Sequence, residues 1–396
     1  MKKNFDNPLV KLAVYLGLVW FTFWQPVIVI FWLKNGLTMA DVMLLKSIHG
    51  IAVLLLEIPT GIITDRYGAK ISFVFASAIY VLSLVVYSFG HSFYIFLIAE
   101  IIAAFGTALV SGSDSAYVYT FLDNQGNAEM FSEVIGKIHS FRLFSQTVAG
   151  ILGGIIAHYF SLRLTLTLTI IPNALSFFIA LKLPQIKALP KKEKGLFLIF
   201  GKGAKGLFGN PSSIRFSLNY ILIAASGLLL FWLYQPYLKK IGVPIIYFGI
   251  LTGTFNLTAM FFSSVSGKIK KFLGANFSIL LINIMFVLSA FLTGTISSSF
   301  GFAFIFGLQA VRGMQSPVFY EQILNNVQPE SRATAISMLN MLTRFSFIVA
   351  APVLGKIVDK RGIFYGINIT ALFVGFAVVF IYISALNRLR SKNSRI

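Results

Sequence analysis

Ionisable side chains set inside long apolar runs are the residues of this sequence with chemistry to offer. A charge at the centre of a bilayer costs at least about 2.5–3.5 kcal/mol, so such residues are kept for a use. Lys46, His49 and Glu57 share one run, Glu100 and Asp114 another, and Arg142, Arg312 and Arg344 stand in three more. At 1.5 Å of rise per residue, Arg312 and Arg344 fall near mid-depth, Glu100, Lys46 and His49 toward the outer side, and Glu57 near the inner end. Two guanidiniums without an obvious acid at their level suit an anionic group on a bound molecule. The competing reading neutralises them with Glu321 or Glu100 and leaves them as gate or packing elements. Asn340, one turn before Arg344, joins them as a candidate binding residue. Glu100, Asp114, His49 and Glu57 are candidates for carrying protons, His49 because imidazole titrates near neutrality, although a lone histidine in a span is as often simply packed. Asp114 and Arg142 reach similar depth on neighbouring segments and are expected to pair.

Gln25 and Gln235 are each followed by proline. Proline frees a carbonyl one turn earlier and glutamine offers donor and acceptor, so both could bind solute or merely satisfy a kink. Trp20, Trp24, Trp232 and Tyr234 beside them would wall a site for a flat or amphipathic solute, or belong to an interfacial aromatic belt.

The runs that position these residues dominate the chain, which is 57% hydrophobic and 12% charged, against roughly 45–50% and 25% for soluble domains. A bilayer core needs about 20 apolar residues per helical crossing. Twelve spans result, at 8–33, 41–63, 71–89, 93–118, 135–157, 164–183, 215–237, 246–266, 275–292, 299–323, 333–354 and 364–385. Runs this long and continuous are helices rather than barrel strands, so an all-α membrane protein is expected, with two pseudo-symmetric six-helix bundles. The formal net charge of +20 would suggest nucleic-acid binding in a soluble protein. Here 18 basic residues fall in segments on the side of the N-terminus, seven on the other side and eight within spans, three of those (Lys137, Lys182 and Arg215) at span ends on the N-terminal side, which places both termini in the cytoplasm and predicts no nucleic-acid partner. Lys2 and Lys3 precede an apolar run too long for a signal-peptide core, so it reads as the first span. Cysteine is absent, which removes disulfides and thiolate sites. No nucleophile elbow, phosphate loop or zinc-protease motif occurs and the four histidines lie far apart, so no enzyme activity, metal or cofactor is expected.

A polar stretch from Lys182 to about Ser213 separates six spans from six, giving bundles over 1–183 and 214–396 with a cytoplasmic linker over 184–213. Its middle, Gly195 to Phe208, mixes lysines with Leu196, Phe197, Leu198, Ile199 and Phe200 and suits a short helix on the anionic inner leaflet. The halves repeat weakly. Gly17, Leu18, Phe21, Gln25 and Pro26 recur as Gly227, Leu228, Phe231, Gln235 and Pro236, and Phe105, Gly106, Val110, Gly112, Ser115 and Tyr119 as Phe306, Gly307, Val311, Gly313, Ser316 and Tyr320. Gly154 falls on Gly355 at the second offset. Parallel six-helix halves are the architecture of a rocking transporter with its site near the midplane.

After the second span comes Gly61-Ile-Ile-Thr-Asp65-Arg66-Tyr-Gly68-Ala-Lys70. It resembles the signature loop of the major facilitator superfamily, with glycines for close packing and a tight turn, Asp65 to cap a helix N-terminus, and Arg66 and Lys70 to hold the loop inside. Degenerate copies run from Gly267 to Gly274, where Lys271 replaces the acid, and from Gly355 through Asp359 to Gly362. The Glu57-x-Pro-Thr-Gly61 end of the second span, Ser111-Gly112 with Asp114, Arg312-Gly313 with Ser316-Pro317, and Arg332-Ala333-Thr334 resemble the bacterial branch that holds many drug and metabolite exporters. That resemblance implies alternating access in a cell (inner) membrane, with membrane lipids as surroundings and a site lined by the first and seventh helices, hence Gln25 and Gln235. The arginine that many proton antiporters of the superfamily carry four residues before the fourth-helix glycine is absent, since Ile102 stands before Gly106. The expectation is a monomeric secondary transporter, a proton-coupled exporter (antiporter, efflux) of an amphipathic or anionic metabolite or drug. Proton-coupled uptake of an organic acid and lipid transport or flipping are the alternatives.

Overall fold

The computed structural model describes residues 7–186, 201, 204, 207–325, 327, 328 and 331–393. The leaflet helix expected over Gly195 to Phe208 falls almost wholly outside them, as do Lys2, Lys3 and most of the linker lysines. The described elements are helical throughout.

Helix after helix overruns its expected span, because polar residues at the ends carry on the hydrogen-bond ladder into the interface. In the first unit the helices are α1 (Pro8–Val19), α2 (Ile28–Lys34), α3 (Met39–Tyr67), α4 (Ala69–Phe89), α5 (Phe93–Val110), α6 (Ser113–Asp123), α7 (Phe131–Tyr159) and α8 (Leu162–Leu181). The second contains α9 (Pro211–Lys240), α10 (Phe248–Leu273), α11 (Ala275–Thr295), α12 (Ala303–Leu324), α13 (Arg332–Arg361) and α14 (Ile363–Asn393). The first compact unit takes residues up to Lys192 together with Pro244–Gly253, so the start of α10 packs with it; the rest of the chain forms the second. Among the described residues, ten passes are long and apolar enough to cross a membrane. The first pass, split into α1 and α2, and α12, made polar by Gln309, Arg312, Gln315 and Glu321, complete twelve. Large apolar side chains face outward along them, Phe376 at 75%, Phe380 at 72% and Leu55 at 69% exposed, a surface that only lipid can cover.

Two expected spans are not single helices. The first breaks from Trp20 to Val27, around Gln25-Pro26. Pro26 has no N–H to donate, and within a bilayer every other freed group needs a partner. The Phe23 N–H donates to the Thr169 hydroxyl of α8 at 3.1 Å. Its carbonyl lies so close to Gly153 of α7 that any β-carbon there would strike it. The fourth span breaks at Ser111–Gly112, where Gly112 takes φ 76° before α6 starts.

The loop motif is a one-residue hinge in every copy. Gly68 between α3 and α4, Gly274 between α10 and α11, and Gly362 between α13 and α14 take φ/ψ of 84°/156°, 79°/160° and 88°/165°, a region essentially reserved for glycine. Within the first unit α4 packs against α5 and α8, and α3 against α5; within the second α11 packs against α12 and α14, and α9 against α13 and α14.

Candidate functional site

A cavity of about 530 Å³ opens within the second unit. One face of α9 supplies Tyr220, Ala224, Gly227, Phe231 and Tyr234, at the three- and four-residue spacing that stacks side chains along a helix. Opposite stand Gln309, Arg312 and Gln315 of α12 and Asn340, Thr343 and Arg344 of α13. No carboxylate is among the lining residues. Arg312 is placed by its neighbour: a β-carbon on Gly313 would meet the Ala259 carbonyl, so glycine lets α12 press onto α10. That brings the Arg312 Nη2 to donate to Asn256 Oδ1 of α10 at 2.7 Å. The guanidinium thus rests on a neutral amide while open to the cavity. Aromatic rings build the wall beside it, Tyr234 against Phe255 at 6.1 Å and Phe255 against Phe306 at 5.0 Å between centroids. At the other end the Tyr220 and Tyr320 hydroxyls lie 3.0 Å apart and Tyr320 donates to Asn340 Oδ1 at 3.0 Å. Two cations, amide and hydroxyl dipoles and aromatic faces in one enclosure can hold an organic anion with a flat or apolar body.

The neutralisation considered for the arginines takes a different form. Glu321 pairs with Lys270 of α10, and Glu100 is consumed within the first unit. There the Glu100 Oε2 receives the Lys46 ammonium at 2.9 Å and His49 Nδ1 at 2.7 Å, and Oε1 accepts from the Tyr87 hydroxyl at 2.5 Å. Lys46 and His49 lie three residues apart on α3, hence on one face, which packs directly on α5. Glu100 is 5% exposed, so three donors replace the water it gave up.

Asp114 and Arg142 make no direct ion pair among the described residues, but the Asp114 carboxylate lies within electrostatic reach of the guanidinium. Asp114 accepts from the Ser115 N–H at 2.6 Å and hydroxyl at 3.2 Å, while the Arg142 guanidinium lies over the Trp20 ring at 5.0 Å. The break after α1 thus adds an indole to the surroundings of Arg142. Glu57 is the acceptor for the Ser111 hydroxyl at 3.4 Å. Of the predicted binding residues, Tyr234, Arg312, Asn340 and Arg344 meet in the cavity; Gln235 does not line it, and Gln25 and Trp24 lie in the broken stretch of the first unit. In the loop, Gly68 sits under Gln185, whose side-chain amide donates to the Tyr67 carbonyl. Gly61 is part of α3 with open space around it. Asp65 is exposed in the last turn of α3; Arg66 lies over Tyr67 at 5.3 Å and Lys70 stands in the first turn of α4. Gly355 is buried in α13 and Asp359 is exposed near its end. Asn256, Gln309, Tyr220, Tyr320 and Tyr87 were not predicted; the three-residue step from Gln309 to Arg312 on one helix face was the signal available for the second.

An all-helical chain faced for lipid and enclosing a polar cavity is a multi-pass membrane transport protein. The Major Facilitator Superfamily matches residues 12–351, so the chain belongs to that superfamily and is a transporter of small molecules rather than an enzyme. Its fold resembles that of the nucleoside transporter NupG, at 17% identity and a TM-score of 0.78 over 95% of this chain and 99% of that one. A bacterial homologue of the human lysosomal transporter Spinster gives 16%, 0.77, 98% and 99% in the same order, and the POT family transporter PepTSo 12%, 0.74, 97% and 98%. At these identities the likeness concerns fold alone. No curated protein matches the sequence.

Proposed function

We propose that the protein exports a small organic anion with a flat or amphipathic body in exchange for protons, across a bacterial cytoplasmic membrane with both termini inside. The observation that carries the substrate class is the acid-free cavity in which Arg312 is held by Asn256 rather than by a carboxylate. A guanidinium so placed gains most when a carboxylate or phosphate arrives, because desolvation strengthens the charge-assisted bond. Proton exchange is supported by the buried Lys46–Glu100–His49 cluster, and export by the resemblance of the second-helix motif to exporters. The sidedness of the basic residues supports the orientation.

The test is reconstitution into proteoliposomes with an imposed proton gradient and carboxyfluorescein as the anionic probe, rhodamine 6G as the cationic one. The reading expects the anion to move against the proton flow, and Arg312→Gln to lower its flux at least tenfold. Anion movement along with the protons would replace export by uptake. Cation transport that survives loss of both Arg312 and Arg344 would overturn the substrate class.

A further inference from the structure

We infer that His49 Nε2 is the atom that loads the coupling proton, with Glu100 as its fixed counter-charge; this rests on the proton exchange proposed above. His49 Nδ1 faces two acceptors, Glu100 Oε2 at 2.7 Å and the Glu100 backbone carbonyl at 3.2 Å. A nitrogen set between two acceptors must carry the hydrogen, which fixes neutral His49 as the Nδ1–H tautomer and leaves the lone pair on Nε2. Among the described residues no partner binds Nε2, and the His49 side chain is 21% exposed against 6% for Glu100. The ring is therefore the reachable group of the cluster.

The groups facing His49 explain why the carboxylate does not take the proton itself. Lys46 comes from α3, one turn before His49, Glu100 from α5 and Tyr87 from α4. Both carboxylate oxygens are engaged, Oε2 by Lys46 and His49, Oε1 by Tyr87. A proton on Oε2 would break the contact to His49 or Lys46 and leave an ammonium buried without its counter-charge, the costly outcome for an ion pair. A proton on Nε2 forms one N–H bond from the ring lone pair, breaks nothing, and turns the cluster from neutral to a single positive charge with the imidazolium still on Glu100. Glu100 is thus a positioning residue: it holds the ring, sets its tautomer and steadies the charge that arrives.

Nitrogen-15 NMR of imidazole-labelled protein in nanodiscs reads this without any solute. The expected spectrum for His49 at alkaline pH has Nδ1 protonated and Nε2 bare, with Nε2 gaining hydrogen on acidification while the protein stays folded. Assignment comes from His49→Asn, which keeps a donor toward Glu100; should that variant fail to fold, replacing His91, His139 and His158 by Gln leaves His49 as the sole histidine. In proteoliposomes, His49→Asn should lower the ratio of gradient-driven movement to counterflow of carboxyfluorescein at least tenfold. An Nε2–H tautomer at alkaline pH, a ring that never gains its second hydrogen, or undiminished gradient-driven flux in His49→Asn would overturn the assignment. If the wild type shows no gradient-driven flux, proton exchange fails, and the NMR titration still decides which atom of the cluster takes a proton.

Discussion

The two units meet buried charge in opposite ways. In the first, Lys46, Glu100, His49 and Tyr87 close a cluster in which the acid and base satisfy each other. In the second, Arg312 leans on an amide and Arg344 faces the same acid-free cavity. The backbones differ to match. The repeated Gln-Pro step breaks the first span between Trp20 and Val27, whereas α9 runs helically through Pro236; the repeated glycine breaks the fourth span at Gly112, whereas Gly313 stays within α12. A closed cluster stabilises a bundle and can hold a proton. An open one leaves its charge for something that arrives.

Substitutions can break that contrast. The largest effect is expected for Lys46→Met, which takes the ammonium from Glu100 and leaves the buried carboxylate with only His49 and Tyr87: removal of one partner of a buried pair costs about 3–5 kcal/mol. Thermal unfolding in detergent should show this, while Lys46→Met combined with Glu100→Met recovers most of it and Arg312→Gln costs far less than the single first-unit change. Next come the hinge glycines, where alanine forces a conformation worth about 1–3 kcal/mol of strain. Gly68→Ala should exceed Gly274→Ala and Gly362→Ala, because only Gly68 has a side chain, Gln185, above it; equal unfolding shifts would contradict the packing described. Tyr320→Phe removes the donor to Asn340 and should cost about 1 kcal/mol of anion affinity, read by titration of quenched carboxyfluorescein. The smallest effect separates the two Gln-Pro steps. Pro236→Ala lets α9 regain one ladder bond and should raise stability by up to about 1 kcal/mol, whereas Pro26→Ala, in a stretch without that ladder, should shift it by less than about 0.5 kcal/mol.

Much of the fold was legible because its signals are local. Apolar runs of sufficient length mark the spans, and the spacing Gly61-x-x-x-Asp65-Arg66-x-Gly68 marks a hinge whose glycine recurs at Gly274 and Gly362. Gln25-Pro26 signalled a kink in the first span, but neither its extent nor the break at Gly112 was legible, since hydropathy is blind to backbone partners: what makes the 20–27 stretch tolerable is Thr169 and Gly153, far along the chain. Arg312 and Arg344 were legible from the cost of burying charge and from their depth, and Asn340 only through its place one turn before Arg344. Asn256 and Tyr320, which hold Arg312 and Asn340, are neutral residues of kinds that apolar helices carry in many places. Arg142 shows the limit of depth alone, which put Asp114 within its electrostatic reach but did not reveal the Trp20 ring under its guanidinium.

The central claim is that the second-unit cavity takes an organic anion through Arg312. Thermal unfolding of the purified protein against a matched pair of ligands, an aromatic carboxylate and its amine analogue, tests it most directly, because a ligand that binds the folded state raises the melting temperature. The account predicts that 2-naphthoate raises it in a dose-dependent way in the wild type, that 2-naphthylmethylamine does not, and that Arg312→Gln abolishes the shift. Stabilisation by the amine, or a carboxylate shift unchanged in Arg312→Gln, would contradict it.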